Sequence, residues 1–120
     1  MSARRRGPAR ARSGAQSPRR ALTIRWTDRA RNDLVEIGDF IARDNPDAAA
    51  RWVEMLIKAV ELASTFPPSG RVVPEIDRDD IREIIRHSYR IVYRVSAEAI
   101  DVLTVFEGHR LLPKGAVPED

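Results

Sequence analysis

Leu22, Ile24 and Trp26 alternate with Thr23 and Arg25. A period of two over five residues predicts a short strand with one buried face. Thr27 or Asp28 suits the cap of a following helix, because a short oxygen-bearing side chain accepts an orphaned N–H of the first turn. Ala30, Leu34, Ile37 and Ile41 then recur at helical spacing. Asn45-Pro46 ends this helix and starts another, since Asn caps well and Pro fits the first turn. Trp52, Leu56, Val60 and Ala63 form the apolar stripe of the second helix, with Val53 and Ile57 beside it. Phe66-Pro67-Pro68-Ser69-Gly70 stops it. Asp28 to about Thr65 is therefore a helical hairpin with a very short turn.

The pattern then changes period. Arg71 to about Asp79 reads as a loop containing Pro74, and Ile81–Arg86 as a strand. Tyr89–Val95 is a second strand, with Tyr89, Ile91, Tyr93 and Val95 on one face and Arg90, Val92 and Arg94 on the other. Ile100–Glu107 is a third, apolar and β-branched on both faces as a central strand should be. The links His87-Ser88 and Ser96–Ala99 are short enough for hairpins, so the three strands should form an antiparallel meander. The order β-α-α-β-β-β predicts an α+β fold, a helical hairpin packed on a small antiparallel sheet.

Composition changes the picture in two places. The 120 residues include no Cys, which excludes a disulfide scaffold and any thiolate metal site. No apolar run approaches the ~20 residues of a membrane span. The pI of about 9.9 suggests nucleic acid until the charge is located. Residues 1–20 hold seven Arg and no acid; removing those from the 21 basic residues leaves 14 against 18 acids, a net of −4 for residues 21–120. The basic character belongs to the tail, which weakens the case for a phosphate-binding domain. That tail has no large apolar residue beyond Met1, so residues 1–20 read as a disordered Arg-rich extension, without the apolar region of a secretory leader. Residues 21–114 read as the domain and 115–120 as a short C-terminal tail.

Candidate chemistry is sparse. No nucleophile elbow, phosphate loop, dinucleotide motif or HExxH is present. His87 and His109 sit at strand ends with no Cys, which does not make a zinc site. Glu75, Asp77, Asp79 and Asp80 lack the spacing and Gly of a calcium loop, and read as solvated carboxylates or as partners for the basic strands. Trp26, Trp52, Tyr89 and Tyr93 lie on the apolar faces, which favours core packing over base stacking. The informative set is Arg82, Arg86, Arg90, Arg94 and Arg110. Arg90 and Arg94 share a face ~7 Å apart. Two readings stay open: an anion- or carboxylate-reading surface, or a face kept soluble by Arg and paired internally with Glu83, Asp101 and Glu107.

These residues also resemble a known family. Trp26, Ala30, Asp33-Leu34, Asn45-Pro46, Ala48-Ala49, Pro67, Gly70-Arg71 and Val73-Pro74-Glu75 are similar to the front half of the ParE/RelE toxins. Ile81-Arg82-Glu83-Ile84, Tyr89-Arg90-Ile91-Val92-Tyr93-Arg94 and Glu107-Gly108-His109-Arg110-Leu111-Leu112-Pro113 resemble the back half, so the likeness runs from about Leu22 to Pro113. The resemblance implies a type II toxin held inactive by a cognate antitoxin, in a toxin–antitoxin hetero-oligomer in the cytoplasm. It implies no cofactor, no metal and no membrane, with operator DNA reached only through the antitoxin. RelE-like members cut ribosome-bound mRNA with sheet Arg and Lys and a C-terminal Tyr; ParE-like members poison DNA gyrase. Arg90 and Arg110 match shared positions, but the Lys positions fall near Arg82 and Ile84, and the Tyr position near Ala116. Gly115 and Pro118 oppose a final helix. The resemblance therefore implies a ParE-like toxin without catalytic residues. The alternatives are a RelE-type nuclease and a non-toxic relative serving antitoxin binding or operon control.

Overall fold

The computed structural model describes residues 21–119, so the expectation for residues 1–20 lies outside the described residues. Strand β1 (Thr23–Trp26) leads into helices α1 (Asp28–Ala42) and α2 (Pro46–Thr65). Both caps follow the sequence. The Ala30 N–H donates to Thr27 Oγ1 at 3.1 Å, and the Ala48 N–H donates to Asn45 Oδ1 at 3.1 Å, with Pro46 in the first turn. A one-turn 3₁₀ segment (Pro67–Ser69) then precedes a two-residue strand, β2 (Arg71–Val72). The meander is β3 (Ile81–Arg86), β4 (Tyr89–Val95) and β5 (Ala99–Glu107), antiparallel throughout.

The sheet has five strands in the order β1-β5-β4-β3-β2 and is mixed, because β1 pairs with β5 in parallel. The crossover supplied by the helical hairpin makes this possible, since parallel neighbours need a long connection. The second strand beyond the meander, β2, lies in what reads as loop in the sequence. Two residues are too few to leave an alternating signature. Among the described residues no helix is long and apolar enough to cross a membrane.

The helices cover one face of the sheet. Leu56, Val60 and Ala63 of α2 meet Ile84, Ile91, Tyr93, Ile100, Val102 and Val105 in one cluster of buried side chains. Trp26 and Trp52 pack against that cluster, and Tyr89 meets Trp52 edge to face at 5.8 Å, so all four of these aromatics belong to the core. The other face carries a smaller cluster of Val73, Ile81, Val92, Leu103 and Phe106. Its cover is not a helix but chain: Ile76 from the loop after β2, with Leu112 and Val117 from the C-terminal segment. Ala116 is buried, and Arg78 donates to the Pro118 carbonyl at 3.1 Å. The residues that read as a trailing tail thus fold back onto the domain as far as Pro118, and among the described residues no final helix forms.

Strand β5 changes phase partway. Val92 stands opposite Thr104 while Tyr93 stands opposite Val102, so Leu103 is an extra residue, a β-bulge. Ile100 and Val102, then Val105, face the helices, while Leu103 and Phe106 face away. The backbone changes phase with the side chains. Before the bulge the Val102 carbonyl accepts from Thr27 of the β1 side; after it, the Val105 N–H turns outward and donates to Asp33 Oδ2 of α1 at 2.9 Å.

Candidate functional site

The five arginines do not form one surface. Alternation puts Arg82 and Arg86 on the helix-bearing face with Ile84, and Arg90 and Arg94 on the opposite face with Val92. Arg110 follows β5 in an exposed turn. Arg82 is held by backbone, donating to the Asp79 carbonyl at 2.9 Å and the Gly70 carbonyl at 3.1 Å. Arg86 donates to the Ile85 carbonyl at 3.1 Å. Arg94 stands in the ladder opposite Ile81 and Asp101, and its charge helps hold the Asp80 carboxyl below its ordinary range, behind the larger effect of Arg78.

Arg90 is the centre of a buried ion network. Its Nε donates to Glu83 Oε1 at 2.7 Å, and its two terminal nitrogens reach the Glu75 carboxylate at 2.7 and 3.0 Å. The guanidinium lies 4.8 Å from the centroid of the Phe106 ring and also donates to the Arg110 carbonyl at 3.3 Å. Glu83 has no exposed side-chain surface and takes a second cation, Arg71, at 2.6 Å. Glu75 accepts in addition the Leu112 N–H at 3.2 Å. The hydrogen bond from Arg90 holds the Glu75 carboxyl down to about 2, against the opposing effect of burial. Every charge at the centre is paired, as burial demands. Of the acidic loop, Glu75 is therefore a partner of the basic strands, and the network ties three segments together: the loop after β2, the β3–β4 hairpin and the C-terminal segment.

The sheet tyrosines are similarly committed. Tyr93 is fully buried, donates to the Pro67 carbonyl at 2.7 Å and accepts the Gly70 N–H at 3.1 Å. Gly70 has no room for a side chain, since a Cβ there would collide with the Tyr93 hydroxyl and come within 2.8 Å of the Glu83 carbonyl. Burial raises the Tyr89 phenol above its ordinary value, with the Glu107 charge adding to the shift. Tyr89 also lines a groove next to Arg110. That groove, about 420 Å³, runs between α1 and the C-terminal half of β5, with Ile37, Phe40, Val105 and Pro113 among its walls and Asp33 and Arg110 among its polar residues. Asp33 is occupied there by Thr104 Oγ1 at 2.6 Å and the Val105 N–H. Phe40 stays 64% exposed on the groove's rim, a large apolar ring left in water.

A family model described as the ParE toxin of the type II toxin–antitoxin system, parDE, matches residues 24–112. The chain belongs to that family. Like this ParE-family chain, a protein of Sinorhizobium fredii (strain NBRC 101917 / NGR234) named Putative toxin Y4kP has the same sequence pattern, 41% identical over 93 residues, 76% of this chain and 93% of that protein. The toxin fold is shared with the structure described as the chromosomal ParDE TA system from P. aeruginosa, at 21% identity and a TM-score of 0.60, covering 72% of this chain and 96% of that one. It is also similar to the toxin–antitoxin complex RelBE2 from Mycobacterium tuberculosis, at 25% identity and a TM-score of 0.51, covering 72% and 98%. All of the toxin's β1 but Thr23, both helices, the meander and the Arg90 network lie inside the matched residues.

The sequence offers Ile37 only as part of the α1 apolar stripe and Glu75 as a partner for the basic strands without singling out Arg90, and it gives no sign of Phe40 at a groove. Glu75 and Arg90 are fifteen positions apart across a loop. The only signal was the odd company of a Val-Pro-Glu run before a basic strand.

Proposed function

We propose that this toxin acts by binding, poisoning DNA gyrase through a protein–protein contact, and that a cognate antitoxin neutralises it. The observation that carries the reading is the state of Arg90. A phosphodiester-cleaving site needs mobile or exposed charge for the developing phosphate and a group that transfers a proton. Arg90 already holds two carboxylates and is only 6% exposed. The chain's counterpart of the nuclease tyrosine is near Ala116, which is buried and carries no acid. On this reading Arg82, Arg86, Arg94 and Arg110 contact partners, Arg90 shapes the surface from within, and operator DNA is met only through the antitoxin.

A second reading is favoured by the likeness to RelBE2: a ribosome-dependent mRNA endonuclease that uses Arg110 beside the groove. One experiment separates them. Purified toxin should inhibit supercoiling by gyrase and stabilise cleaved DNA, and it should leave mRNA on programmed ribosomes intact. Efficient mRNA cleavage that Arg110→Ala removes, with gyrase unaffected, would establish the nuclease instead. A chain that does neither, yet still binds its antitoxin, would be a regulatory relative.

A further inference from the structure

The residues between α2 and β3 form a ledge whose charge runs against that of the domain. Arg51, Met55, Lys58, Ala59 and Leu62 lie along one stripe of α2, at helical spacing, and Arg86 of β3 closes the far side. The stripe from Arg51 to Leu62 is ~16 Å long at the rise of a helix, which is three turns. Its apolar strip is real but unfinished. Met55 packs partly on the core and Ala59 is buried, while Leu62 is left 62% exposed.

The rim is cationic. Arg51, Lys58 and Arg86 meet a single acid, Glu54, in the same depression. Among the described residues none of the three cations makes a salt bridge; Arg86 donates only to the carbonyl of its neighbour Ile85. This contrasts with Arg25, Arg71, Arg78 and Arg90, each of which holds a carboxylate. Residues 21–120 carry a net charge of −4, so an acidic partner is repelled by most of the surface and attracted here.

We propose that this ledge seats an acidic amphipathic helix of the antitoxin, about three turns long. Its apolar side would rest on Met55 and Leu62, and its carboxylates would meet Arg51, Lys58 and Arg86. The inference rests on the reading that an antitoxin neutralises this toxin, and it names where one segment of that antitoxin lies. The apolar strip selects a peptide over a phosphate backbone, and the domain's negative field opposes a long polyanion that would cover more than the ledge.

The probe is the small protein encoded beside this chain's gene, mixed with the full-length chain and with variants of it, with affinity measured at two salt concentrations. The triple variant Arg51→Glu/Lys58→Glu/Arg86→Glu should weaken binding at least ~100-fold, and Leu62→Glu ~10-fold. Arg31→Glu, on α1, should change it less than twofold. Wild-type affinity should fall with added salt, and the triple variant should lose most of that dependence. All substituted side chains reach solvent, and thermal unfolding of each variant checks that it is folded. The milder Arg51→Ala/Lys58→Ala/Arg86→Ala variant, expected to lose ~10-fold, replaces any that is not. If wild type binds and the folded triple variant binds equally well, the ledge is not the seat and the antitoxin reading stands. If wild type forms no complex at all, both fall. Binding of a DNA duplex that the triple variant abolishes, with the protein complex unaffected, would reassign the ledge to nucleic acid.

Discussion

The two faces of the sheet are stabilised in opposite ways. The helix-bearing face is a continuous apolar contact in which Leu56, Val60, Ile91 and Tyr93 are almost without exposed surface. The other face has five buried apolar residues, and beside them lies a charged centre, Arg90 between Glu75 and Glu83. Apolar packing tolerates adjustment, because hydrophobic contacts are non-directional. A buried ion network does not: each member is satisfied only in one geometry, and loss of one strands the others. The first face therefore holds the helices on, while the second fixes where the loop after β2 and the C-terminal segment lie.

The contrast is sharpest at Glu83. Glu83→Ala leaves Arg90 with one carboxylate and Arg71 with none, in a site with no exposed side-chain surface on the acid. It should cost about 4 kcal/mol in urea unfolding, within the range for breaking a buried pair. A cost below about 1 kcal/mol would mean that the charged face is dispensable.

On the opposite face, Leu56→Ala removes a fully buried side chain from the main cluster. The expected cost is about 3 kcal/mol, typical for a cavity of that size. Unlike a change at Glu75, whose carboxyl is held low by Arg90, it should leave the pH dependence of stability unchanged. If Leu56→Ala altered that dependence, the two faces would not be independent.

Glu75→Gln is the smallest of the three and the most specific. The native carboxyl sits at about 2 against an ordinary 4.5, so its contribution is complete above the unfolded value and disappears as pH falls through the folded one. The variant should be about 2 kcal/mol less stable at neutral pH, a figure reduced for partial solvent access. Wild type should lose that advantage between about pH 4.5 and 2, and urea unfolding across this window should show the two curves converging. Parallel curves would place the pH sensitivity elsewhere.

The helix-bearing face was legible because its information is periodic. Leu56, Val60 and Ala63 recur at helical spacing, Ile91 and Tyr93 at strand spacing, and each stretch points its apolar set inward without reference to any other. The second face was not legible in the same way. Alternation places Arg90 beside Val92 correctly but says nothing of whether that face meets water or a covering loop. Glu75 reads as a solvated acid or as a partner for the basic strands, and only the fold back through Pro74 decides that it meets Arg90. The bulge at Leu103 left no trace, since β5 is apolar on both faces and a shift of one residue exchanges one apolar side chain for another. The parallel pairing of β1 is likewise a property of the crossover, not of its four residues.

The bulge has a consequence for how this protein tolerates change. Leu103 is the residue at which β5 switches which of its N–H groups look outward, and Asp33 waits on the far side for the Val105 N–H. Exchanging Leu103 for another apolar residue keeps that count. Removing it leaves Val105 and Phe106 opposite Ile91 and Arg90 on the faces they already occupy, and takes from the smaller cluster one of its five buried side chains. At this point of the strand a residue can be lost without losing the register, so length is under looser constraint here than elsewhere in β5.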